Sequence, residues 1–150
     1  MTLGQAQLWL RAHVDEGVAC PCCTQFAKIY RRRIHSTMAR DLITAHRCEG
    51  LAPFHVPTLL RRAASAGDFA KLAYWGLIAE LPGRRDDGAK HAGWWQITDD
   101  GRRFVCNQLR VPKYARIYDG RLIALDSDET VSIVDALGTR FDYGELMRGA

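Results

Sequence analysis

Three of the five cysteines stand together as Cys20-Pro21-Cys22-Cys23, and the two-residue gap between Cys20 and Cys23 lets two thiolates grip one tetrahedral metal ion. Pro21 followed by a tight turn matches the C-P-x-C half of a zinc knuckle. A closed structural site needs four ligands, and the chain contains no second C-x-x-C. The preferred completion is His46 and Cys48, at the end of the next helix, so that Cys20, Cys23, His46 and Cys48 surround one structural Zn2+. His35, His55, Cys106 and Cys22 are the other donors available. The bland alternative is a thiol pair that holds no metal. Redox chemistry fits less well, because the motif does not open a helix after a thioredoxin-like strand.

A second set of side chains has the chemistry of phosphate binding. Arg31, Arg32 and Arg33 follow Lys28 and Tyr30, and Arg84, Arg85, Lys90 and His91 lie in the glycine- and proline-bounded stretch from Pro82 to Gly93. Such cations neutralise phosphates and release counterions whatever the base sequence, and Tyr30 offers a ring on which a base can stack. Residues 1–116 hold 18 Lys and Arg against 10 Asp and Glu, whereas residues 117–150 hold 3 against 7. The net charge of +4 therefore hides a basic body and an acidic tail, and a polyanion is drawn to the body. Against this stand two plain readings: a solvated basic face, and a self-paired turn in which Asp86 and Asp87 answer Arg84 and Arg85.

What must position these groups is a chain of 150 residues, 47% hydrophobic, enough for one core and one compact unit. No apolar run approaches the roughly 20 residues needed to cross a bilayer, and the first residues, MTLGQAQLWLRAHVDEG, carry acids and no cleavable apolar core. The expectation is a protein of the reduced cytoplasm. Nothing points to an enzyme: G-x-S-x-G, H-E-x-x-H, a phosphate loop and paired carboxylates are all missing, and the five histidines are scattered. Cys106, beside Phe104 and Val105, reads as an apolar filler.

Periodicity and caps give the elements. Thr2 caps a first helix whose apolar face is Leu3, Ala6, Leu10 and Val14, a face that packs on the core or pairs with another copy in a homodimer. Residues 26–34 alternate with the period of a strand. Ser36 and Thr37 cap a helix from Met38 to Arg47, closed by Gly50; Phe54 to Val56 is a short edge strand; Pro57 opens a helix to residue 65. A turn at Ser65-Ala66-Gly67 leads into a helix over 68–80 that carries Leu72, Trp75, Leu77 and Ile78. Trp94 to Ile97 is a strand, and Thr98 caps a helix over 99–108, with Asp99 and Asp100 at its positive end. Tyr114 to Tyr118 and Arg121 to Leu125 form a hairpin around Asp119-Gly120, joined by an acidic link, 126–129, to a helix Ile133 to Leu137 capped by Ser132 and closed by Gly138. A last helical turn lies within 141–147.

The order helix, short strand, helix, helix, strand, wing, strand, helix, with Gly76-Leu77-Ile78 and Ile97-Thr98-Asp99-Asp100-Gly101-Arg102, resembles the MarR-type winged-helix DNA-binding domains over residues 36–108. The whole chain, through CPCC, the arginine triplet, VPKYARIY and FDYGELM, is also similar to small uncharacterised proteins encoded by bacteriophages. The fold class implied is α+β, mostly helical: an N-terminal helix and cysteine turn (1–35), a winged helix-turn-helix (36–110), and a hairpin with an acidic extension (111–150). The resemblance implies that the helix from Asp68 enters the major groove of double-stranded DNA and that the wing, Arg84 to His91, follows the backbone. Asp68, Lys71 and Tyr74 are its exposed groups, a thin set for reading base edges. The expected function is a DNA-binding transcriptional regulator in the cytoplasm of a phage-infected host. The alternative is an interaction module that binds a host protein through the winged-helix surface or the acidic tail.

Overall fold

The computed structural model describes residues 1–60, 63–81 and 93–149, without the side chains of 63–66. The first helix, α1 (Leu3–His13), starts at Thr2, whose hydroxyl accepts from the Gln5 N–H while the Gln5 side chain accepts from the Thr2 N–H. Two strands of two residues, β1 (Val18–Ala19) and β2 (Phe26–Ala27), pair antiparallel across the cysteine turn. Then follow β3 (Tyr30–Arg32), α2 (Ser36–Glu49), β4 (Phe54–His55), α3 (Val56–Leu60), α4 (Ala63–Ala70) and a 3₁₀ turn, Lys71–Trp75. Strands β5 (Ile78–Glu80) and β6 (Trp94–Ile97) precede α5 (Asp99–Val105), the long strands β7 (Val111–Tyr118) and β8 (Arg121–Val131), α6 (Ile133–Leu137) and α7 (Tyr143–Arg148). The architecture is α+β, with three small antiparallel sheets in the orders β1-β2, β3-β7-β8 and β4-β6-β5.

The core is built on α2. Met38, Ala39, Leu42, Ile43 and Ala45 are all buried, a stripe wider than one side of the helix, because α4, α5, α6 and α7 surround it. Phe69 closes against Phe54 edge to face, with ring centroids 5.8 Å apart, and Leu72, Trp75, Leu77, Phe104, Val105, Ile133 and Leu137 complete the cluster. Asp41, buried on the same helix, accepts from the Arg40 guanidinium at 2.9 and 3.1 Å, which satisfies a charge that would otherwise be costly to bury. Trp75 reaches out of the core to donate its indole N–H to the Pro112 carbonyl at 2.8 Å, and Tyr143 donates to the Val105 carbonyl at 2.7 Å.

Several sequence expectations change in three dimensions. Ser65, Ala66 and Gly67 lie inside α4, so the expected turn there is absent, and Asp68 sits near the end of a helix rather than at its start. The helix expected over 68–80 stops at Gly76, which takes the left-handed conformation (φ 71°), and Ile78 to Glu80 is a strand. Leu77 and Ile78 are buried in either geometry, so apolar spacing alone did not separate the two. The strand expected over 26–34 is broken at 28–29, where Ile29 donates its N–H to the Val14 carbonyl at 3.0 Å; β2 joins one sheet and β3 another. The acidic stretch 126–129 is the continuation of β8, not a link. Helix α5 ends at Val105, three residues early, with Cys106 half-buried at its C-cap. Of the apolar face of α1 only Ala6 is buried, while Leu3 stays 66% exposed.

Candidate nucleic-acid interface and cysteine turn

The arginine triplet lies on β3 and just beyond it, at the edge of the β3-β7-β8 sheet. Strand alternation splits its work. Tyr30 and Arg32 share one side, where the exposed Tyr30 ring has Lys28 Nζ 5.4 Å and Arg32 Cζ 5.3 Å from its centroid. Arg31 turns the other way, 4.1 Å over the Tyr114 ring and 3.4 Å from Asp126. Arg33 leads into an open cleft of about 620 Å³ that Asp68, Lys113 and Arg140 also line, together with His35. The fold thus brings the end of β3 beside α4, which sequence separation does not reveal.

At the cleft's edge Asp68 accepts from Lys71 at 2.8 Å, and that bond holds the Asp68 carboxyl below its usual range, with further pull from the charges of Lys71, His35 and Arg32. Arg140 donates to the Thr37 hydroxyl at 3.2 Å near the start of α2. Lys113 and Arg140 carry no motif in the sequence. Lys113 sits in an unremarkable V-P-K step and Arg140 between two short helices; only the register of β7 and the turn after α6 bring them here.

The helix expected to read bases is engaged by the rest of the chain. Tyr74 donates its hydroxyl to the Gly120 carbonyl at 2.8 Å, at the tip of the β7-β8 hairpin, and Trp75 is fixed to Pro112. Lys71 is paired with Asp68. Arg84, Arg85, Lys90 and His91 lie outside the described residues, as does the whole segment 82–92 that links β5 to β6.

Charge separation between body and tail is partly answered inside the molecule, through three of the tail's seven acids. Asp126 pairs with Arg31, Glu129 with Lys113 at 3.0 Å and Asp135 with Arg110 at 3.2 Å, so acids of the last 34 residues meet bases of the first 116. Lys113 is held more firmly protonated by its bond to Glu129. Arg31 and Arg116 face each other across the strands, a like-charge pairing relieved by Asp126 on one and Asp15 on the other. Each of these pairs has at least one exposed partner, so solvent and salt screen it.

The cysteine turn is a tight hairpin tip. The Cys20 N–H donates to the Gln25 carbonyl at 2.7 Å, the Thr24 N–H to the Cys20 carbonyl at 2.9 Å, and Thr24 adopts φ 63° to close the loop. Backbone N–H groups of Cys23 and Cys22 point at the Cys20 sulfur and hold its thiol below the usual range. The expected partners, His46 and Cys48, lie on α2. His46 is packed toward α5, where burial and then the Arg102 charge favour its neutral form, and Cys48 is exposed at the end of α2. Among the described residues no three His, Cys, Asp or Glu side chains gather as a metal requires.

No protein-family model, curated protein or solved structure matches the chain. No helix among the described residues is long and apolar enough to cross a membrane.

Proposed function

We propose that the chain binds double-stranded DNA, chiefly through phosphates, as a winged-helix protein with a regulatory role. The observation that carries this reading is the cleft in which Arg33, Lys113 and Arg140 stand beside the α4 helix. Arg32 flanks it, with the exposed Tyr30 ring beyond. The sequence of elements α2, β4, α3, α4, β5, β6, α5 supports the same reading, since it follows the order of the domains the chain resembles. The side chains on α4 and the 3₁₀ turn provide little to discriminate bases: Lys71 and Tyr74 are both hydrogen-bonded within the chain. Binding is therefore strong in electrostatics and weak in sequence preference. A phage-encoded regulator in a host cytoplasm is the setting implied by the resemblance alone.

The test is fluorescence anisotropy of a labelled duplex at several salt concentrations. Between about 50 and 200 mM salt the affinity falls by orders of magnitude, and the double variant Arg32→Ala/Arg33→Ala lowers the slope of log K against log salt by about two. Absence of binding at the lowest salt refutes the reading. A second reading, an interaction module for a host protein, is favoured by one observation: the Tyr74–Gly120 and Trp75–Pro112 hydrogen bonds seal the end of the would-be recognition helix under the hairpin. Under that reading duplex DNA is ignored and a protein partner is retained at high salt.

A further inference from the structure

We propose that the cysteine turn is half of a zinc site completed by a second copy of the chain, with Cys20 and Cys23 of each copy sharing one Zn2+. Two thiols with knuckle spacing are held at the tip of the β1-β2 hairpin, and Pro21 to Gln25 are all exposed, so nothing within the described chain stands over them. The backbone bonds Cys20 N–H to Gln25 O and Thr24 N–H to Cys20 O fix the turn that carries both thiols, so their two-residue spacing is set before a metal arrives.

Of the five histidines, His91 lies outside the described residues and the other four have surroundings of their own. His13 is bonded through Nδ1 to the Trp9 carbonyl at 2.7 Å and stacked on that indole; His55 is bonded to the Thr58 hydroxyl at 2.7 Å; His35 lines the basic cleft. His46 faces α5 and the cation of Arg102, an environment that repels a second cation. Cys106 lies at the C-cap of α5, near Tyr143. A tetrahedral site left with two ligands is satisfied by the same two from another molecule. Four thiols then release four protons to solvent as one Zn2+ enters, leaving a cluster of net charge −2 exposed to solvent at the hairpin tip. Phe26, three residues past Cys23 and 67% exposed, supplies apolar surface for the facing copy, its ring lying over Gly17. The inference rests on the thiol turn and is independent of whether the chain binds DNA.

The deciding measurement is zinc content together with molar mass by light scattering, on the full chain kept under a non-thiol reductant. The expected result is one zinc per two chains in a dimer that a chelator converts to monomer. Cys20→Ser and Cys23→Ser bring zinc to background and halve the mass, while Cys22→Ser, Cys48→Ser and His46→Ala keep both. Circular dichroism of the serine variants shows whether the α2 core survives. Should they fail to fold, the wild-type stoichiometry decides. One zinc per monomer, no zinc uptake after reconstitution, loss of zinc in the Cys22, Cys48 or His46 variants, or a dimer that resists chelator and yields to reductant overturns the proposal.

Discussion

Gly101, inside the Ile97-Thr98-Asp99-Asp100-Gly101-Arg102 motif, is helical, so its lack of a side chain serves close approach and not backbone freedom. A Cβ built there overlaps the Leu77 carbonyl oxygen and lies 2.8 Å from Ile97 Cγ2 and 3.0 Å from the Leu77 carbonyl carbon. The carbonyl cannot swing aside: it accepts the Thr98 N–H at 3.1 Å, and Leu77 is fully buried. Relief requires α5 to back away by roughly an ångström, which pulls Phe104 and Val105 out of a close-packed core. Overpacking of this kind costs about 3 kcal/mol, against a gain of about 1 kcal/mol from the helix preference of alanine, so Gly101→Ala destabilises by about 2 kcal/mol net. Gly67, also helical and with no atom within 4 Å of its added Cβ, is the control: Gly67→Ala stabilises by about 0.5–1 kcal/mol. Urea denaturation of both variants at neutral pH measures the difference. If Gly101→Ala matches or exceeds the wild type in stability, the argument that α5 is docked on the Leu77 backbone is wrong.

His46 gives a pH dependence with a definite sign. Its folded pKa lies below the ordinary histidine value of about 6.5, because burial and then Arg102 disfavour the charged ring. The unfolded chain therefore takes up the proton first, and stability present above about pH 6.5 is lost as pH falls through the folded value. Denaturation midpoints recorded from pH 7.5 to 5 fall less steeply in His46→Gln than in the wild type, and parallel curves contradict the assignment. Ser132 accepts the Asp135 N–H at 3.1 Å while the Asp135 carboxylate accepts the Ser132 N–H at 3.0 Å, a reciprocal cap on the five-residue α6. Ser132→Ala lowers stability by about 1 kcal/mol in the same denaturation assay; no change means that Ile133 and Leu137 hold α6 without the cap.

The parts legible in the sequence are those with local causes. Caps read from single residues hold at Thr2, Thr98 and Ser132, and Asp119-Gly120 turns with both φ angles positive (49° and 73°), as its residue types require. What failed had non-local causes. Nothing within residues 65–67 says that helix continues through a serine and a glycine; packing of Phe69 and Leu72 against α2 holds it. Nor could Ile78 to Glu80 be assigned without β6, whose pairing Ile78↔Ile97 and Glu80↔Trp95 turns a helix-compatible stretch into a strand. The thiol pair and the arginine triplet were visible as chemistry. Their surroundings were not, because the strand between them divides, β2 toward the cysteine hairpin and β3 toward β7.

That division decides how the basic and acidic halves interact. Had residues 26–34 formed one strand, the arginines would extend the cysteine hairpin into solvent, far from the C-terminal acids. Instead β3 pairs with β7 over Tyr30↔Ile117 to Arg32↔Ala115, so β8 and its carboxylates lie one strand further on. Arg31 finds Asp126 across that sheet; Arg33, past the end of the paired residues, has no acid opposite it in the ladder and turns into the cleft with Arg140. A duplex approaching the molecule therefore meets bases already paired with acids on the outer face of the sheet, whereas among the described residues Arg33 and Arg140 form no ion pair at the cleft, which Asp68 and Asp135 also line. The electrostatic argument for DNA binding consequently rests on the cleft, and neutralising Arg33 there should weaken binding more than neutralising Arg31, although both are exposed and only Arg32 separates them in the chain.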